Sequence, residues 1–145
     1  MSIVADAVAR TLRLDADIAK VYADPPEAVY DLPTALVLET NGDSQRDGFQ
    51  GLWESTTETR VWLLIETRRD LEPNVNRTRP WEFRLVELFA ENDMLRDEGG
   101  SAFGEITRIR HKTGVLPYAD VNYLGVELLL TARVDVQVAT TCEVV

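Results

Sequence analysis

Two hydrophobic periods alternate along the chain, and each change of period marks a new element. Near the N-terminus Val4, Ala7, Val8 and Leu12, with Thr11 between, follow the i, i+3, i+4, i+7, i+8 stripe of an amphipathic helix, which Ser2 can cap and which ends near Arg13. Asp24-Pro25-Pro26 then stops regular structure, because proline lacks an amide donor and pushes its predecessor toward extended geometry. Pro33 introduces a short strand over residues 35–39. Residues 41–48 are polar, carry three charges and hold Gly42 and Gly48, so they predict an exposed loop. Residues 52–55 and 60–67 predict two antiparallel strands separated by residues 56–59. Within the second, Val61-Trp62-Leu63-Leu64-Ile65 is apolar on both faces and calls for cover on both sides.

The helical period returns after Thr78, a candidate cap, with Pro80 tolerated in the first turn and Glu82 near the positive end of the dipole. Trp81, Leu85, Leu88 and Phe89 form one stripe, and Phe83, Val86 and Ala90 widen it, so this helix should pack on a sheet and also on a neighbour. Residues 97–101 form a loop and residues 105–111 a shorter strand. In the last strand Val126, Leu128, Leu130, Ala132, Val134, Val136 and Val138 alternate with Glu127, Leu129, Thr131, Arg133, Asp135 and Gln137. Thirteen residues at about 3.4 Å each span about 44 Å, far beyond an ordinary strand. Such a strand leaves unpaired edge backbone unless another chain or a long hairpin covers it, which suggests self-assembly. The pattern as a whole predicts one α+β domain over all 145 residues, a mostly antiparallel sheet with two main helices, and a short C-terminal extension, residues 139–145.

Composition narrows the function. Twenty-five acidic against fifteen basic residues give a net charge of −10, which argues against binding phosphate or nucleic acid. One cysteine, Cys142, excludes an internal disulfide and any CxxC motif, and one histidine, His111, excludes sites needing two imidazoles. Asp6 interrupts what would have to be the apolar core of a signal peptide, and the stretch 123–132 contains Glu127 and is too short to span a bilayer, so a cytoplasmic protein without a membrane anchor is expected.

Candidate chemistry is sparse. Glu91, Asp93, Asp97 and Glu98 lack the spacing that wraps oxygens round calcium and suit a solvated helix end. His111 would need a nucleophile or an orienting carboxylate to act as a base. Cys142 has no flanking base, and Arg68, Arg69, Arg77 and Arg79 suit ion pairs in so acidic a chain. No glycine-rich phosphate loop occurs, and Trp53, Trp62 and Trp81 suit a core or a subunit interface. Neither catalysis nor a cofactor nor a metal is expected.

The element order resembles that of the tail terminator (tail-completion) proteins of long-tailed bacteriophages, over residues 4–138. The resemblance is carried by Pro33-Thr34-Ala35 before the first strand, residues 61–66 before the second helix, and Tyr118 followed by Tyr123-Leu124-Gly125-Val126-Glu127 opening the last strand. It implies a non-enzymatic virion protein, located at the neck and assembled in the host cytoplasm. Six copies form a ring that caps the tail tube, ends tube polymerisation and offers the surface on which the head connector docks. The implied partners are the chain itself, the tail tube protein and the connector or head closure protein, with DNA passing through unbound, as the acidic charge permits. A head closure or other neck component, or a cytoplasmic α+β ligand-binding domain or enzyme, are the alternatives. Within the ring reading, the outward residues Leu129, Thr131 and Arg133, with Arg60 and Trp62, are the candidate subunit contacts. Asp43, Ser44, Gln45, Arg46, Asp47 and Phe49 are the candidate contacts to tube or connector, Phe49 serving either as an interface anchor or as the start of the next strand in its own core.

Overall fold

A computed structural model describes residues 3–46, 53–67 and 78–134. Helix α1, Ile3–Leu12, buries Val4, Ala7, Val8 and Leu12, as its stripe predicts, and also Ala5 and Ala9 beside it; Asp6 in the first turn and Arg10 in the last complement the helix dipole. Strand β1, Lys20–Tyr22, and β2, Thr34–Arg46, are joined by a strap, residues 23–33. β3, Trp53–Thr67, leads to helix α2, Arg79–Glu91, and to the short β4, Met94–Arg96. β5, Ala102–Tyr118, and β6, Val121–Val134, form the final hairpin. Its two turn residues, Ala119 and Asp120, have φ of 51° and 64°, the left-handed pair whose twist matches the flanking strands.

The six strands make one mixed sheet in the order β1-β2-β3-β6-β5-β4, with β1 parallel to β2 and the other four pairings antiparallel. The α+β class stands. Of the two covers that the long last strand calls for, another chain or a long hairpin, the fold supplies the hairpin: β6 is central, paired with β3 from Ser55↔Val134 to Thr67↔Tyr123 and with β5 from Gly104↔Val134 to Tyr118↔Val121. The long hairpin supplies the cover because β5 has seventeen residues, not the short segment 105–111 that its sequence suggests. The backbone of β6 therefore gives no support to self-assembly. Residues 135–138 and the extension 139–145 lie outside the described residues.

Alternation along β6 places Val126, Leu128, Leu130, Ala132 and Val134 in the main core with Val61 and Leu63, under α1 and under Leu85 and Phe89 of α2. Leu36, Leu64, Leu116 and Tyr123 make a second cluster, with Trp62 packed against it, so residues 61–65 are covered on both sides as expected. The wide stripe of α2 is only partly used, since Phe83 is 65 % exposed and Ala90 is exposed. Thr78 occupies the cap position without making the side-chain bond, and its carbonyl instead accepts the Glu82 amide at 3.0 Å. No described helix is long and apolar enough to cross a membrane.

Candidate subunit-interface face

Because successive side chains of a strand point to opposite faces, the core face and the open face of the sheet can be read from the register. Opposite the core, β3, β6 and β5 carry four consecutive rows: Trp62, Glu127 and Lys112; Arg60, Leu129 and Arg110; Glu58, Thr131 and Arg108; Thr56, Arg133 and Glu105. All five candidate subunit contacts, Arg60, Trp62, Leu129, Thr131 and Arg133, thus fall on one face, in adjoining cross-strand positions.

The rows are tied by charge. The Trp62 indole Nε1 donates to Glu127 Oε2 at 2.8 Å, and Lys112 Nζ lies 3.5 Å from Glu127 Oε1, so one carboxylate serves both neighbours. Arg110 Nη2 is 3.9 Å from Glu58 Oε1 on the diagonal, and Arg133 donates to Glu105. A shallow depression of about 260 Å³, lined by Arg110, His111, Lys112, Glu127 and Leu129, lies in the middle. Leu129 is half-buried, not the exposed leucine expected, because long cationic side chains stand on both sides of it in register.

The second set of candidates requires correction. Asn41 to Arg46 are strand, not loop: Asp43 pairs with Thr56, Ser44 with Ser55, Gln45 with Glu54 and Arg46 with Trp53. Likewise residues 56–59 continue β3 without a break. The ladder is made by backbone groups, and here it carries polar side chains such as Asn41, Asp43 and Ser44 that all face water, so no alternation betrays it. The Ser44 and Ser55 hydroxyls are bonded across this arm at 3.1 Å. Asp47 and Phe49 lie outside the described residues.

Two clusters escaped sequence reasoning because they join residues far apart in the chain. Arg84 reaches Asp15 at 2.5 Å and Asp17 at 2.7 Å, and its guanidinium lies 4.7 Å from the Trp81 ring centroid, clamping α2 to the turn after α1. The hydrogen bond to Asp17 is the main reason its pKa is raised, burial opposing it and Asp15 adding to it. His111 Nδ1 lies 2.9 Å from Glu82 Oε2 and ties α2 to β5, on the opposite side of the sheet from the charged rows. A mixed-charge cleft of about 350 Å³ between α1 and the β4 region is lined by Arg10, Arg96, Asp93 and Asp97 among others. Among the described residues no group of three His, Cys, Asp or Glu side chains could hold a metal. No protein-family model matches the chain, and no curated protein matches it.

Proposed function

We propose that this chain is a structural virion protein of the tail-terminator kind, which assembles into a ring, ends the tail tube and receives the head connector. The observation that carries the reading is the sheet face opposite the two helices: among the described residues no helix covers it, the strap and the second apolar cluster cover only one end of it, and it holds a half-buried tryptophan and leucine among paired charges. Protein interfaces combine such aromatic and arginine anchors with a polar surround, whereas a small-molecule site would be concave and mostly apolar. Six copies meet through Arg60, Trp62, Leu129, Thr131 and Arg133. The β2–β3 arm, whose ladder runs two positions beyond the last described β3–β6 pair, meets the tube or the connector over the segment Asp43, Ser44, Gln45 and Arg46, with Asp47 and Phe49 following in sequence. The net charge of −10 lets DNA pass without sticking.

The test is particle assembly without this protein. Overlong tails and tailless heads, both corrected when the protein is supplied, are the expected result. Tails of normal length joined to heads in its absence would refute the reading.

A further inference from the structure

We propose that the strap, residues 23–33, is a docking element that seats on the basic row of β5 in a second copy of this chain. The inference rests on the ring reading above and adds the two surfaces that meet. The strap holds Asp24, Glu27 and Asp31 and no basic residue, and none of these three carboxylates makes an ion pair among the described residues. Tyr30, between Glu27 and Asp31, is 88 % exposed, the most exposed of the large apolar side chains described.

That exposure is built in. Val29 and Leu32, on either side of Tyr30, pack against the second apolar cluster. The Tyr118 hydroxyl donates to the Pro26 carbonyl and the Thr34 hydroxyl donates to the Asp31 carbonyl, holding the strap at two points. A tyrosine presented by a fixed segment orders little further on binding, and tyrosine is enriched in the cores of interfaces.

The complementary surface lies on the same chain. Arg108, Arg110 and Lys112 alternate along the open face of β5, a concentration of positive charge in a chain of net charge −10. Arg108 makes no ion pair among the described residues, Arg110 stands 3.9 Å from Glu58, and Lys112, whose Nζ lies 3.5 Å from Glu127 Oε1, keeps its side chain 72 % exposed. Three alternate strand residues span about 14 Å, and the four residue steps from Glu27 to Asp31 reach at most about 14 Å. Strap and row are different surfaces, so their contact is head-to-tail, the type that closes into a ring when its rotation permits. Phosphate is the wrong occupant for this row, because the whole-chain charge repels it.

The test uses two charge-reversed proteins, Glu27→Lys with Asp31→Lys, and Arg108→Glu with Arg110→Glu, whose positions are exposed and whose melting temperatures should stay close to that of the unaltered chain. Sedimentation velocity at low salt and rising concentration should show self-association of the unaltered chain that is lost at high salt. Each reversed protein alone should associate about ten-fold or more weakly, since like charges now face each other. An equal mixture of the two should associate again, and Tyr30→Ala should weaken the unaltered contact. A chain that stays monomeric at low salt, association indifferent to either reversal, or a mixture that fails to recover would each overturn the strap contact. The ring reading is judged separately, by particle symmetry and tail length, and survives those outcomes.

Discussion

Gly125 and Gly114 face each other across the β5–β6 hairpin, yet adding one methyl group to each should have opposite consequences. A Cβ on Gly125 would lie 2.2 Å from the Leu63 carbonyl oxygen and 2.9 Å from Leu116 Cδ1. The first of these is backbone of a central strand, beside the irregularity between Leu64 and Glu66, and it cannot yield by a rotamer change. Relief requires β3 and β6 to separate, and overpacking of this sort costs about 1–3 kcal/mol or more. A Cβ on Gly114 meets nothing within 4 Å. There the substitution removes only the entropy penalty of glycine in a strand, a gain of about 0.5–1 kcal/mol. Urea and thermal unfolding followed by circular dichroism should therefore find Gly125→Ala about 2–3 kcal/mol less stable, a fall of roughly 4–12 °C in Tm, with Gly114→Ala unchanged or slightly more stable. Equal effects at the two positions would refute the reasoning, because they would show that β3 does not approach Gly125 so closely.

Burial, and secondarily the charge of Tyr123, raises the Tyr118 phenol above its ordinary value of 10.0. The unfolded chain then loses this proton first, so stability should be full below about pH 10 and fall as pH rises through the folded value, a slope that Tyr118→Phe should flatten in urea titrations. Arg84→Met strands the Asp15 carboxylate, whose side chain is 4 % exposed; because Arg84 itself is 44 % exposed, the loss should be about 1–2 kcal/mol, below that for a fully buried pair, and an unchanged urea midpoint would dismiss the clamp. Leu129→Asp places a carboxylate between Arg60 and Arg110 on the open face, so the monomer should keep its Tm while ring assembly weakens; an unfolded monomer would show Leu129 to be core.

Alternation made the core side of the sheet legible. Val126, Leu128, Leu130, Ala132 and Val134 are buried as their spacing requires, and so are Val4, Ala7, Val8 and Leu12 of α1, whose buried face also takes in Ala5 and Ala9. The same rule brought Arg60, Trp62, Leu129, Thr131 and Arg133 to one face, since register only had to keep their parity. What stayed hidden were strands whose two faces are both polar or interrupted. Asn41, Gly42, Asp43 and Ser44 have no apolar partner to mark them, and β5 carries Gly104, Gly114 and Pro117 with charges on its outer row, so its length is set by pairing with β6 and not by its own pattern. The edge strands β1 and β4, with three residues each, are too short to show a period. The pattern of β6 asks only that its long backbone be covered, and the length of β5, hidden in its own sequence, decides that a hairpin and not a second chain provides that cover. The Arg84 and His111 contacts depend on which helix face meets which strand, information that appears only once the chain is folded.

The measurement that bears most directly on the central claim is a cryo-electron microscopy reconstruction of the particles that carry this protein, made without imposed symmetry. The account predicts one sixfold layer between the top of the tail tube and the connector, into which six copies of this fold fit. Any other symmetry in the layer this protein occupies, or its absence from the neck, would contradict the account.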